Sequence, residues 1–138
     1  MRLFLDANVL FTAAHNPAGR SAALFTLARG GCCELLTSPH AVEEASRNLK
    51  LKYPASATNF EDMLRSLTIH PEASHADIAW AIEQGLPLKD APILAAAAAV
   101  RADLLVTGDR GHFGHLFGQR LRGVEVVPPA DALARVLE

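Results

Sequence analysis

The chain has 138 residues, half of them hydrophobic and a fifth charged, with a formal net charge of -2. That length supports one sizeable core, and the balance excludes a disordered or polar-tract protein. The net negative charge argues against a general electrostatic grip on nucleic acid, so a polyanion would need local basic patches or bound cations.

Residues 3–5 read as a short buried strand, interrupted by Asp6-Ala7-Asn8 before a second apolar run from Val9 to Phe11. A carboxylate there is costly to bury unless something pairs with it. Arg2 is followed by only three apolar residues before Asp6, which leaves no room for the apolar stretch of a secretory signal, so a cytoplasmic location is expected. Residues 17–31 form a turn feeding a helix that stops at Gly30 and Gly31, and 33–37 are a second strand. Cys32 and Cys33 are the two cysteines and are adjacent, which excludes a disulfide framework and leaves packing as their expected role. Ser38-Pro39 supplies an N-cap with proline in the first turn, opening a helix to Tyr53-Pro54. Residues 56–67 place Phe60, Met63, Leu64 and Leu67 at helical spacing, and 68–70 are short and β-branched enough for a third strand.

The second half repeats the alternation. A helix over 74–85 stops at Gly85, and Asp90 stands at the mouth of an alanine-rich helix. The apolar run from Ala91 to Val100 contains Pro92 and is too short to cross a bilayer. Residues 103–109 form a buried strand ending in Asp109. A Gly- and His-containing loop or short helix follows, then a strand over 124–128 and a last helix over 130–138. Strands that are continuous apolar runs alternating with helices predict a parallel sheet covered on both faces, and no linker divides residues 1–138.

In such sheets the ligand site lies outside the carboxyl ends of the strands. Asp6 and Asp109 end two strands, Asp90 opens a helix on the same edge, and Glu43 or Glu44 lies early in the helix after the second strand. Taken singly, Asp90 could be a helix cap and Asp109 a turn former, whereas Asp6 has no predicted helix immediately after it to cap. Four carboxylates at close range repel unless protonated or neutralised, and the fitting neutraliser is a hard divalent ion such as Mg2+ or Mn2+. The chemistry implied is metal-assisted phosphodiester hydrolysis. At roughly 100° per residue, Ala41, Val42, Ala45 and Leu49 form the packed stripe of their helix, with Glu44 about 115° and Glu43 about 145° from its centre. Glu44 is therefore the better candidate to lean toward the strand ends.

The stretches FLDANVL, TSPHAVEEASRNL, LKDAPILAAA and LLVTGDRGHF, in this order and spacing, resemble the PIN domain, the fold of metal-dependent ribonucleases that includes VapC-type toxins. The resemblance spans essentially the whole chain. It implies a three-layer α/β/α sandwich with a five-stranded parallel sheet, and a metal site of Asp6, Glu44, Asp90 and Asp109 with Asn8 as an accessory polar group. It further implies Mg2+ or Mn2+ dependence, an RNA substrate, a homodimer and a small antitoxin partner. Thr107, within the VTGD stretch, and His112 are further accessory candidates. Where many members place another acid shortly after the last aspartate, this chain has Arg110-Gly111-His112-Phe113.

Clusters at Arg47, Lys50 and Lys52 and at Arg110, Arg120 and Arg122 are the basic patches available to RNA, with Lys50, Lys52 and Arg110 the named candidates. Phe113 beside Asp109 is a candidate base-stacking ring, whereas Phe25, Phe60 and Trp80 lie on apolar helix faces and are expected in the core. His112 and His115, three apart, suggest a zinc pair, but zinc needs further ligands that the sequence does not place nearby. His112 is also placed to contact a phosphate or move a proton. Two other functions compete with the ribonuclease: a non-catalytic PIN-like scaffold binding RNA or protein, and a haloacid-dehalogenase-type phosphatase. The phosphatase class needs an acid two residues after its first aspartate, and Asn8 stands there.

Overall fold

The computed structural model describes residues 1–138. In chain order the elements are β1 (Arg2–Leu5), α1 (Ala7–His15), α2 (Arg20–Arg29), β2 (Glu34–Thr37), α3 (Pro39–Lys52), α4 (Ala57–Leu64), β3 (Leu67–Ile69), α5 (His75–Glu83) and α6 (Ala91–Ala99). Then follow β4 (Leu104–Val106), α7 (Arg110–Phe113), β5 (Arg120–Leu121), β6 (Val124–Val127) and α8 (Pro129–Leu137). They build a three-layer α/β/α sandwich around a sheet of order β3-β2-β1-β4-β6-β5.

The central strands are short and apolar because both sheet faces are covered: Leu3, Phe4, Leu5, Leu35, Leu36, Leu104, Leu105 and Val106 are all buried. Parallel pairing sets Leu5 opposite Val106 and Leu3 opposite both Leu35 and Leu104, which brings the carboxyl ends of β1 and β4 side by side. The sheet grows outward from β1 on one side through β2 and β3, and from β4 on the other through β6. The point between β1 and β4, where the order reverses, opens a crevice at the strand ends. Alanine-rich α6 is apolar all round and buries Ala91 and Ile93 to Ala97; its small side chains let α5 and the sheet approach closely. No helix is long and apolar enough to cross a membrane.

Two expectations need correcting. The five-stranded parallel sheet is a six-stranded mixed one, because Arg120–Leu121 adds an antiparallel edge to β6. This hairpin turns at Arg122 and Gly123, with φ of 50° and 85°. Positive φ at both turn residues gives the twist a two-residue hairpin needs, and a strand of two residues leaves no periodicity to read. The second apolar run, Val9 to Phe11, belongs to α1, which begins directly after Asp6. Asn8, Thr12 and His15 are modest helix formers, and the burial of Val9, Leu10, Ala13 and Ala14 on one face decides the conformation. The expected packing role holds for half-buried Cys33, whereas Cys32 is exposed.

Candidate metal centre

Asp6 lies at the edge of the strand-end crevice. Its backbone N–H donates to Val106 O at 3.0 Å, extending the β1–β4 ladder by one residue. The side chain caps α1: Oδ1 accepts from Ala7 N at 2.7 Å, and Oδ2 accepts from Thr107 Oγ1 at 2.8 Å and from Asn8 Nδ2 at 3.0 Å. Asp6 thus does have a helix to cap, and what sets it apart is burial to 3% exposure. Burial raises its pKa from 3.8 to about 6; the bonds from Thr107 and Ala7 oppose the rise, and the nearby Asp90 and Glu44 charges add to it.

Asn8 and Thr107 tie this carboxylate to the other side of the crevice. Asn8 Oδ1 accepts from Gly108 N at 2.7 Å while its amide also donates to Thr107 Oγ1 at 3.2 Å. Thr107 Oγ1 accepts from Asp109 N at 3.1 Å. One amide and one hydroxyl therefore fix the end of β1, the start of α1 and the loop after β4 in a single network. A Cβ at Gly108 would come to 3.3 Å from Asn8 Oδ1, a tight contact that would press on this hydrogen bond.

Asp109 divides its oxygens between two tasks. Oδ1 accepts from His112 N at 3.0 Å, capping α7, and Oδ2 lies 3.0 Å from His112 Nδ1. Asp90 precedes α6 but makes no side-chain capping bond, so its sequence position at a helix mouth does not account for it. Its Oδ2 lies 2.8 Å from His112 Nδ1, yet both atoms are buried without an aligned hydrogen bond. Burial raises the Asp90 pKa, against the opposing charges of His112 and Lys89.

Glu44 reaches the same crevice from α3, whose start is fixed by Ser38 Oγ accepting from Ala41 N. A cavity without a hydrophobic lining residue is bounded by Asp6, Asn8, Glu44, Asp90 and Asp109 together with Thr12, Asn48 and Lys89. Glu43 points elsewhere, into a separate groove with Val42, Arg47, Lys50 and Ile69. The structure therefore brings all four sequence-selected acids to one cavity, which Glu44 lines and Glu43 does not. Thr12 and Asn48 are not among the sequence-selected residues, although each lies four residues after Asn8 or Glu44 on its helix, the spacing that shares a face. Lys89 is a further addition; His40 Nε2 meets its carbonyl at 2.9 Å and so steadies the chain just before Asp90.

The basic candidates are scattered. Lys50 lines the Glu43 groove, which shares no residue with the acidic cavity, and the Lys52 amine lies over the Phe11 ring at 5.7 Å. Arg120 pairs with Glu125, and Arg122 pairs with Asp77 and stacks on Trp80 at 4.0 Å. Arg110 does stand near the acids, in a groove with Arg20, Asn16 and the α2 amino end that shares Thr12 and Gly108 with the acidic cavity. Phe113 is fully buried and offers no face for a base. His115 Nε2 meets Gln84 O at 2.9 Å, so the His112 and His115 rings are not paired as a zinc site requires.

Oxygen donors from four acids, with the Asp90 Oδ2 and His112 Nδ1 atoms buried and unaligned, fit a small divalent cation. Ligand atoms of Asp90, Asp109 and His112 all lie within 4.8 Å of one another, the reach of a single ion. The model of the PIN domain matches residues 2–111. No curated protein matches the chain by sequence. Among solved structures, PAE2754 from Pyrobaculum aerophilum is 18% identical with a TM-score of 0.71 over 99% of this chain and 98% of that one. VapBC2 from Rickettsia felis, solved bound to a DNA fragment from its promoter, is 16% identical with a TM-score of 0.66 over 93% and 98%. FitAcB from Neisseria gonorrhoeae is 20% identical with a TM-score of 0.63 over 93% and 98%.

Proposed function

The chain belongs to the PIN domain family, and from that premise we propose that it is a single-domain, Mg2+- or Mn2+-dependent endoribonuclease. The observation that carries the reading is the cavity, without a hydrophobic lining residue, in which Asp6, Glu44, Asp90 and Asp109 converge from four separated parts of the chain. A cluster of that charge is costly to a scaffold that only binds, and it is what a hydrolase acting on a phosphodiester requires.

The cation would be held by the four carboxylates, and when bound it supplies charge neutralisation at the phosphate and a more acidic water. The protein's own part is orientation. Thr107 and Asn8 fix the Asp6 carboxylate by hydrogen bonds, and Asp109 is locked by its cap on α7. Glu44, half-buried and free of a structural bond in the fold, would use one carboxylate oxygen on the cation and the other to take a proton from the attacking water.

RNA would approach along the groove from Arg110 and Arg20, where the α2 amino end has no side-chain cap and presents backbone N–H groups to a phosphate. We therefore expect the affinity of a cleavage-dead variant for labelled single-stranded RNA to fall as salt rises. Replacing Arg20 and Arg110 by Ala should lower the slope of log K against log salt by about 0.7 for each arginine. Replacing Lys50 should leave the slope unchanged, and a slope indifferent to both arginines would remove the groove from the RNA path.

The resemblance to VapC-type toxins, with VapBC2 and FitAcB among the structural neighbours, supports a small antitoxin partner, and a homodimer in the cytoplasm completes the reading. Incubating the purified protein with single-stranded RNA tests the activity. Cleavage is expected with Mn2+ or Mg2+ and none in excess EDTA, and cleavage that persists in EDTA would overturn the proposal.

A further inference from the structure

His112 is the group in the acidic cavity that a site made only of carboxylates does not explain. Its Nδ1 lies 2.8 Å from Asp90 Oδ2 and 3.0 Å from Asp109 Oδ2. Neighbouring donors around a six-coordinate ion with bonds of about 2.1 Å are separated by about 3.0 Å, so these spacings match adjacent positions of one coordination sphere. The Asp90 side chain is nine-tenths buried, and its Oδ2, like His112 Nδ1, is buried with no hydrogen-bond partner. Two buried polar atoms this close, with no hydrogen bond between them, are each left one partner short.

The remainder of the ring is open: the His112 side chain is 40% exposed although Nδ1 is shut off from solvent. In the tautomer that carries its N–H at Nε2, where water can satisfy it, the Nδ1 lone pair faces inward. The ring is held in that pose because the His112 backbone N–H donates to Asp109 Oδ1 at 3.0 Å, so one carboxylate both orients the ring and shares its target.

We propose that His112 is itself a ligand of the cation through Nδ1, beside Asp90 and Asp109, and that this nitrogen biases the site toward Mn2+ over Mg2+. The inference rests on the cation-site reading above. Mg2+ takes oxygen almost exclusively, whereas first-row transition ions accept imidazole, so exchanging one oxygen donor for nitrogen weakens Mg2+ more than Mn2+.

The test is Mn2+ binding followed by electron paramagnetic resonance, with Mg2+ as competitor, on the wild type, His112→Asp and His112→Ala. The wild type should show a directly bonded 14N coupling in the pulsed spectrum, and both variants should lack it. His112→Asp restores an all-oxygen set and should reduce the Mn2+ preference at least about tenfold, while His112→Ala should weaken binding of both ions. An unchanged preference in His112→Asp, or a wild-type spectrum without the nitrogen coupling, would overturn the ligation and leave the nuclease reading intact. A wild type that binds Mn2+ through nitrogen yet cuts no RNA would overturn the nuclease reading and uphold the ligation. Failure of the wild type to bind Mn2+ would overturn both.

Discussion

Asp6→Asn should abolish metal-dependent RNA cleavage and at the same time make the metal-free protein more stable at neutral pH. The two effects share one cause. Burial holds the Asp6 pKa up at about 6 in the folded protein against an ordinary 3.8, so folding has to accommodate a charge it disfavours. Below pH 3.8 the group is protonated in both states and contributes no penalty. The penalty grows as pH rises from 3.8 and is fully present above about 6, where it corresponds to about 3 kcal/mol. An amide recovers only part of that, because its NH2 would face the Asn8 Nδ2 donor that now points at Asp6 Oδ2. A net gain of about 1–2 kcal/mol should raise the melting temperature in EDTA at about pH 7.5 by roughly 3–7 °C, and the gain should vanish below about pH 4. Saturating Mn2+ reverses the order, since an ion at about 100 times its Kd adds about 2.7 kcal/mol to the wild type. Melting curves at those two pH values, with EDTA or Mn2+, check each part. A destabilised Asp6→Asn protein in EDTA at neutral pH would show that the carboxylate is structurally satisfied and not held in readiness for a cation.

The second large effect separates two adjacent glutamates. Glu44→Gln should lose cleavage by at least about a hundredfold at saturating Mn2+, the scale of a lost general base or ligand, whereas Glu43→Gln should stay close to wild type. Glu44 lines the acidic cavity, and Glu43 faces the groove of Arg47, Lys50 and Ile69 on the other side of α3. Cleavage rates of the two variants under identical conditions decide the matter, and the reverse ranking would place the cation on the wrong face of the helix.

That Glu44 and not Glu43 lines the cavity is legible in the sequence because a helix has one fixed angle per residue, and Ala41, Ala45 and Leu49 mark its buried stripe. The same holds for β1, β2 and β4, whose apolar runs come from burial on both sheet faces, and for Asp6 and Asp109, which follow two of those runs. What is not legible depends on contacts distant in sequence. Nothing local to Asp6 announces that its oxygens meet Thr107, at the far end of another strand, or that Asn8 spans to Gly108. Arg20 and Arg110 join one groove because α2 begins where the loop after β4 ends, while Lys50, near Glu44 in sequence, turns to the other face of its helix. For Phe113, proximity to Asp109 in sequence suggests exposure, yet a single turn of α7 carries its ring into the core. The unaligned contact of His112 with Asp90 likewise arises where α7 meets the amino end of α6.

The central claim is that water, activated at the cavity of Asp6, Glu44, Asp90 and Asp109, attacks an RNA phosphodiester. Mass spectrometry of the product ends from cleavage of a defined single-stranded RNA in Mn2+ tests it most directly. The account predicts linear monophosphate and free hydroxyl ends that disappear in EDTA and with Asp6→Asn. Ends carrying a 2′,3′-cyclic phosphate, the mark of attack by the neighbouring ribose hydroxyl, or equal yields of the linear ends from wild type and Asp6→Asn, would contradict it.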